Sequence, residues 1–217
     1  MSSLIARAIP ISFLVCIQPA VAQSSAQVPR GDRSVGAWIG VSPSSRVGQF
    51  ARPRRQLVLI GAHAEWVVES WRALALATTT DIFPAAVVTH TPTYIVRQVV
   101  TPGGGTFQLK EENGSKPVYG AGAAPFGFKL YLASSPRVRL FGSTAVGGLW
   151  FTRDMPIPDA RRFNISFEYG GGVAILWADR RAIILGYKFH HLSNANSAAV
   201  NPGLDSNVFY LGLSRSR

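Results

Sequence analysis

A chain of 217 residues with 47% hydrophobic and 15% charged residues suffices for one sizeable core and is too apolar for a disordered protein. Its 22 Lys and Arg against 11 Asp and Glu give a net charge of +11; in an exported protein a phosphate-rich membrane surface accounts for such a charge, and no nucleic-acid partner is expected. The single cysteine, Cys16, falls in a segment expected to be cleaved, which excludes disulfides, Cys-based zinc sites and a cysteine nucleophile from the mature chain.

Residues 1–22 read as a secretory signal: Arg7 is the lone charge, Ala8 to Ile17 is mostly apolar, and Ala20-Val21-Ala22 is a small-residue cleavage site. The mature chain, 23–217, is then expected as one domain. No run of eighteen apolar residues follows the signal, so a transmembrane helix is not expected, whereas a transmembrane barrel hides its hydrophobicity in alternation.

Strands are expected at Ser34 to Ser42 and Arg55 to His63, with a loop at Pro43 to Pro53 between them. A close turn at His63 to Glu69 leads to a third strand from Ser70 to Thr80, extendable to Val88 with Pro84 as a bulge. Thr89 to Pro117, with Gly103-Gly104-Gly105 and Asn113-Gly114, reads as a long exposed loop that holds a small hairpin at most. The fourth strand, Val118 to Ala133, places Phe126, Phe128, Leu130 and Leu132 on one face and Lys129 and Tyr131 on the other. A turn at Ser134 to Pro136 gives the fifth, Arg137 to Phe151, whose faces composition does not separate.

After a loop at Met155 to Ala160 comes the strongest segment. Phe163, Ile165, Phe167, Tyr169, Val173, Ile175 and Trp177 fall on odd positions, with Asn164, Ser166, Glu168 and glycines between them. Such alternation runs far beyond the ~5–6 residues of a mean globular strand and suits an outer-membrane strand. Arg181 to Ser193 is the seventh strand, Asn194 to Leu204 a loop, and Asp205 to Ser214 the eighth. Connections 1–2, 3–4, 5–6 and 7–8 are expected long and the others short, the pattern of an all-β, eight-stranded antiparallel up-and-down transmembrane β-barrel with both ends in the periplasm.

The chemistry gathers on the last hairpin, YKFHHLSNANSAAVNPGLD from Tyr187 to Asp205. His191 and Ser193 are two apart, so a strand projects both from one face, as a base and a nucleophile require. Their odd row also carries Ile183, Leu185 and Phe189 and is expected to face lipid, while Lys188 and His190 point inward with Glu168. Asp205 returns beside them on the row of Phe209 and Leu211, completing a Ser-His-Asp arrangement. The side-chain amides of Asn194 and Asn201 are candidates to stabilise an oxyanion. Arg52, Arg54, Arg55, Arg161 and Arg162 border the expected external loops, where they meet either lipid phosphates or solvent. No metal or cofactor is expected, since the four histidines show no ligand spacing.

The motif HHLSNAN…NPGLD, on the last hairpin of a signal-bearing eight-strand pattern, resembles the outer-membrane lipid A 3-O-deacylases of the PagL type. That resemblance implies a serine esterase of the Gram-negative outer membrane acting on the 3-linked acyl chain of lipopolysaccharide. It implies His191 as base, Ser193 as nucleophile and Asp205 as the acid, with Asn201 and the backbone amide near Asn196 as oxyanion hole. Two positions depart from the family pattern: Asp205 stands where members carry Glu, and Asn196 where they carry Gly. An outer-membrane phospholipase and a non-catalytic structural or adhesive barrel are the alternatives, and a homodimer is a further expectation.

Overall fold

The computed structural model describes residues 27–217, apart from 49, 102, 103 and 179, and the side chains of 50–54 and 110 also fall outside the description. The expected signal, 1–22, and the Arg52 and Arg54 side chains therefore lie outside it. Eight antiparallel strands close into a barrel with each strand beside its sequence neighbours: β1 (Arg33–Val47), β2 (Phe50–Trp71), β3 (Leu74–Val100), β4 (Thr106–Ala133), β5 (Val138–Met155), β6 (Arg161–Ala178), β7 (Arg181–Ser193) and β8 (Leu204–Ser216). The β1–β8 ladder, from Ser34 opposite Ser216 to Val47 opposite Leu204, closes it. Closure leaves no unpaired backbone edge in the bilayer, where each unsatisfied polar group costs several kcal/mol.

The two faces of the wall are the two rows of each strand. On β6 and β7 the even row is buried and the odd row exposed: Asn164, Ser166, Glu168, Lys188 and His190 point inward, Ile165, Phe167, Tyr169, Leu185 and Tyr187 outward. The β5 faces separate in the same way, with Phe141, Ala145, Leu149 and Phe151 inside and Leu140, Val146 and Trp150 outside. An eight-stranded barrel is just wide enough to be filled by its own side chains. Two apolar layers do this, one around Leu57, Phe83, Phe151 and Leu204, the other around Val67, Tyr131, Phe141 and Ile184.

A polar belt crosses the interior. Lys188 Nζ lies 2.7 Å from Glu168 Oε2 and 3.8 Å above the Trp38 ring, and the Lys129 ammonium is bonded to Glu65, whose other oxygen accepts the Tyr131 hydroxyl at 2.5 Å. Buried charges survive there because each has a partner of opposite sign and further hydrogen bonds. Glu168 and Lys188, both expected to point inward, meet each other there.

Three expected connections differ. Pro43 to Pro53 is not a loop: β1 runs to Val47 and β2 starts at Phe50, with register shifts between Ser42 and Ser45 and between Ser45 and Val47 absorbing Pro43. The turn expected at His63 to Glu69 is strand, and the chain reverses at Arg72, whose φ is +48°. Thr89 to Pro117 is mostly strand too, since β3 and β4 pair from Leu74 opposite Leu132 out to Val100 opposite Thr106. Asn113-Gly114 makes a bulge opposite Thr93 rather than a turn, with Gly114 at φ +74°. Connection 1–2 is thus short, while 7–8 keeps its expected length.

Candidate active site on the outer wall of the last hairpin

β7 and β8 pair without a register shift from Arg181 opposite Arg215 to Leu192 opposite Leu204. This unbroken ladder puts His191 directly opposite Asp205. Their side chains share the outward row and are 40% and 41% exposed, and His191 Nδ1 lies 2.6 Å from Asp205 Oδ1. A carboxylate only accepts, so Nδ1 carries the proton and Nε2 presents its lone pair. Cross-strand pairing brings Cβ atoms within about 4.5–5.5 Å, and the short Asp side chain bridges that gap. No hydrogen bond among the described residues engages Nε2. It faces Gly203, where an added Cβ would stand 3.1 Å from His191 Cε1.

Ser193 ends β7 on the same row as His191, and two strand residues separate such side chains by about 6.6 Å. Its hydroxyl is not bonded to the imidazole. Ser193 Oγ donates to Asn201 Oδ1 at 3.1 Å and accepts from Asn201 Nδ2 at 3.0 Å and from the Ala195 backbone N–H at 3.1 Å. Two amide donors therefore converge on the hydroxyl from the loop side.

The loop from Asn194 to Gly203 is built to hold them. Ser197 N–H donates to Asn194 O at 3.0 Å across a turn whose central residues, Ala195 and Asn196, have φ of +51° and +60°, the type I′ geometry. Asn tolerates the left-handed region better than any other residue except Gly, which accounts for Asn196 where the resembling family carries Gly. Arg161, at the start of β6, donates from Nε and Nη2 to Ser197 O at 2.9 and 2.7 Å and ties the loop to the wall.

The structure brings His191, Ser193, Asp205 and Asn201 together and sets Asn196 beside Asn201, whose Nδ2 donates to Asn196 Oδ1 at 3.0 Å. The Asn194 side-chain amide is turned away: buried, it donates to Val200 O at 2.8 Å and supports the loop instead. Arg55 borders the connection between β5 and β6 but is buried, with its guanidinium on Pro156 O, and so meets neither solvent nor a lipid phosphate.

One neighbour escapes a reading from sequence. Arg46 is exposed and pairs with Asp205 across the β1–β8 ladder. Its Pro- and Ser-rich surroundings look like loop, and only the closure of the barrel reveals its place. On the opposite flank, Phe167 pairs with His191 and Ile165 with Ser193, both facing outward. The site is thus an exposed triad-like set between a cation and a strip of apolar side chains. Among the described residues no three His, Cys, Asp or Glu gather to hold a metal ion.

A closed eight-stranded barrel with an apolar outer wall and a cluster of Ser, His, Asp and Asn side chains at one rim is an outer-membrane type of protein with polar groups where a lipid can meet them. The sequence model of the family described as lipid A 3-O-deacylase (PagL) matches residues 85–214, more than half of the chain and the whole of the last hairpin. The chain belongs to that family: it is a lipid A 3-O-deacylase, a hydrolase of the outer membrane. Among solved structures, the outer membrane enzyme PagL is 17% identical, with 82% of this chain and 97% of that one covered and a TM-score of 0.53. The outer membrane protein OprG from Pseudomonas aeruginosa is 7% identical over 89% of this chain and 99% of that one, with a TM-score of 0.51. Both likenesses are of fold. No curated protein matches the chain by sequence.

Proposed function

We propose that this deacylase hydrolyses the 3-linked acyl ester of lipid A with a Ser193-His191-Asp205 triad that works from the lipid-facing side of the wall. The reading is supported above all by the 2.6 Å contact between His191 Nδ1 and Asp205 Oδ1 on the outward row that Ser193 shares, which leaves Nε2 as the nitrogen available to act as base. For the reaction the Ser193 hydroxyl must leave Asn201 and turn, by rotation about its Cα–Cβ bond, toward Nε2.

His191 Nε2 then takes the hydroxyl proton as Oγ attacks the ester carbonyl, and the imidazolium that forms is stabilised by Asp205. The two donors that held the resting hydroxyl, Asn201 Nδ2 and the Ala195 N–H, are left free to receive the oxyanion. Asn196 acts through Asn201, and Asn194 through the loop. Collapse breaks the bond between the carbonyl carbon and the sugar 3-oxygen, which leaves with the proton from His191. Water, deprotonated by the same nitrogen, cleaves the acyl-Ser193 ester and releases a fatty acid.

Position supports the substrate. The acyl chain can lie along Ile165 and Phe167 without leaving the bilayer, and Arg46 stands where a lipid A phosphate can meet a guanidinium. The expected homodimer takes no part, since every group required comes from one chain.

Labelling of the purified barrel with a fluorophosphonate tests the triad. Peptide mapping is expected to find the adduct on Ser193 in the wild type and little adduct in His191→Ala. An adduct on another serine, or undiminished labelling of His191→Ala, overturns the assignment.

A further inference from the structure

The opposite end of the wall carries a second arrangement that deacylation does not use. At the periplasmic ends of β7, β8 and β1, Arg181, Arg215, Arg217 and Arg33 all lie exposed on the outward row. Arg181 pairs with Arg215 across the ladder, and the Arg217 N–H donates to Arg33 O at 2.9 Å. Among the described residues none of the four guanidiniums has an ion-pair partner. Like charges in adjacent cross-strand positions repel, and no side-chain carboxylate of the described residues forms an ion pair with them.

Aromatic rings frame it. The Arg33 guanidinium lies 5.4 Å from the centre of the Trp66 ring, and that of Arg181 5.9 Å from the Trp177 ring. Both tryptophans are exposed, as interfacial anchors are where an apolar ring meets the headgroup level. Between Arg33, Trp66, Arg215 and Arg217 lies a cleft of about 480 Å³, floored by Val35 and threonines of β3. Glu65 also borders it but faces the interior, where Lys129 and Tyr131 occupy its carboxylate.

Depth fixes which leaflet this end meets. Ten strand residues separate Arg215 from Asp205 on β8; at about 3.4 Å each and a tilt of about 40° they span about 26 Å, the height of an outer-membrane apolar band. With Asp205 at the outer interface, Arg215 reaches the inner one. We infer that the cleft between Arg33, Trp66, Arg215 and Arg217 binds an anionic glycerophospholipid of the inner leaflet. Its phosphate would sit between Arg33 and Arg215, its headgroup near Arg217, and its glycerol and upper acyl carbons against Trp66.

Native mass spectrometry of the folded barrel in neutral detergent, with equimolar phosphatidylglycerol and phosphatidylcholine, tests this. The wild type is expected to retain phosphatidylglycerol preferentially. In the double variant Arg33→Gln/Arg215→Gln, loss of two interfacial guanidiniums lowers that preference about 30-fold. Arg33→Lys/Arg215→Lys keeps most of it, and Arg97→Gln on the β3–β4 hairpin keeps all of it. Deacylation is expected to be unchanged in the Gln variant, whose positions are remote from Ser193. Equal retention of the two lipids by the wild type, an undiminished preference in the Gln variant, or loss of the preference in the Lys variant would each overturn the site. Displacement of the lipid by an equal concentration of inorganic phosphate, or by soluble sacculus fragments, would also overturn it, as a bare anion site or a cell-wall site respectively.

Discussion

His191 and Asp205 face each other across an unbroken stretch of the β7–β8 ladder, Nδ1 to Oδ1 at 2.6 Å. The same carboxylate has Arg46 as its cross-strand neighbour on β1. Replacing it by Asn keeps the shape but makes the partner a donor as well, so the wrong imidazole tautomer is favoured. Asp205→Asn is expected to lower kcat for lipid A deacylation about 10³–10⁴-fold while the barrel keeps its heat-modifiable mobility in electrophoresis. A loss of less than tenfold would remove Asp205 from the triad.

Gly203 sits in the left-handed region at φ +68°, and a Cβ there would meet His191 Cε1 at 3.1 Å and Leu192 O at 3.3 Å. Gly203→Ala therefore strains the backbone by about 1–2 kcal/mol and presses on the imidazole. Turnover is expected to fall by about 10–100-fold, since small misplacements of a catalytic group are costly. Steady-state assays on the folded variant read this directly.

Asn201 bonds to Ser193 through both ends of its amide. Asn201→Ala removes a donor from the expected oxyanion position, and kcat is expected to fall about 10²–10³-fold with a smaller change in KM. A defect confined to KM would make Asn201 a binding residue instead.

Inside the barrel, Lys188 is held by Glu168 at 2.7 Å and by the Trp38 ring. Lys188→Met leaves a buried carboxylate without its cation, and urea titration of the folded barrel is expected to show a loss of about 3–5 kcal/mol. Lys188→Met/Glu168→Leu is expected to recover most of it, because the pair rather than either charge satisfies the belt.

How much of this was readable in the sequence depended on whether lipid faced the residues concerned. β6, β7 and β8 cross the bilayer, where one row must be apolar, so their parity and the outward placement of His191, Ser193 and Asp205 followed from the alternation. Above the membrane no lipid enforces that row. The segment from Pro43 to Pro53 and much of Thr89 to Pro117 therefore looked like loop although both pair as strand. Glu65 misled for another reason: a charge inside a filled barrel resembles a turn residue until Lys129 and Tyr131 are seen to meet it. The turned-away Asn194 amide and the nearness of Arg46 to Asp205 depend on loop geometry and barrel closure, which local spacing does not encode.

Ser193, on the outer wall, is proposed to attack the 3-linked acyl ester of lipid A. Mass spectrometry of lipid A from Gram-negative cells expressing either the wild type or Ser193→Ala, with both barrels shown to be folded in the outer membrane, tests it most directly. The wild type is expected to shorten lipid A by one 3-linked 3-hydroxyacyl group, and Ser193→Ala to leave lipid A intact. Unaltered lipid A with accumulating lysophospholipid in the wild type, or continued deacylation by Ser193→Ala, would contradict it.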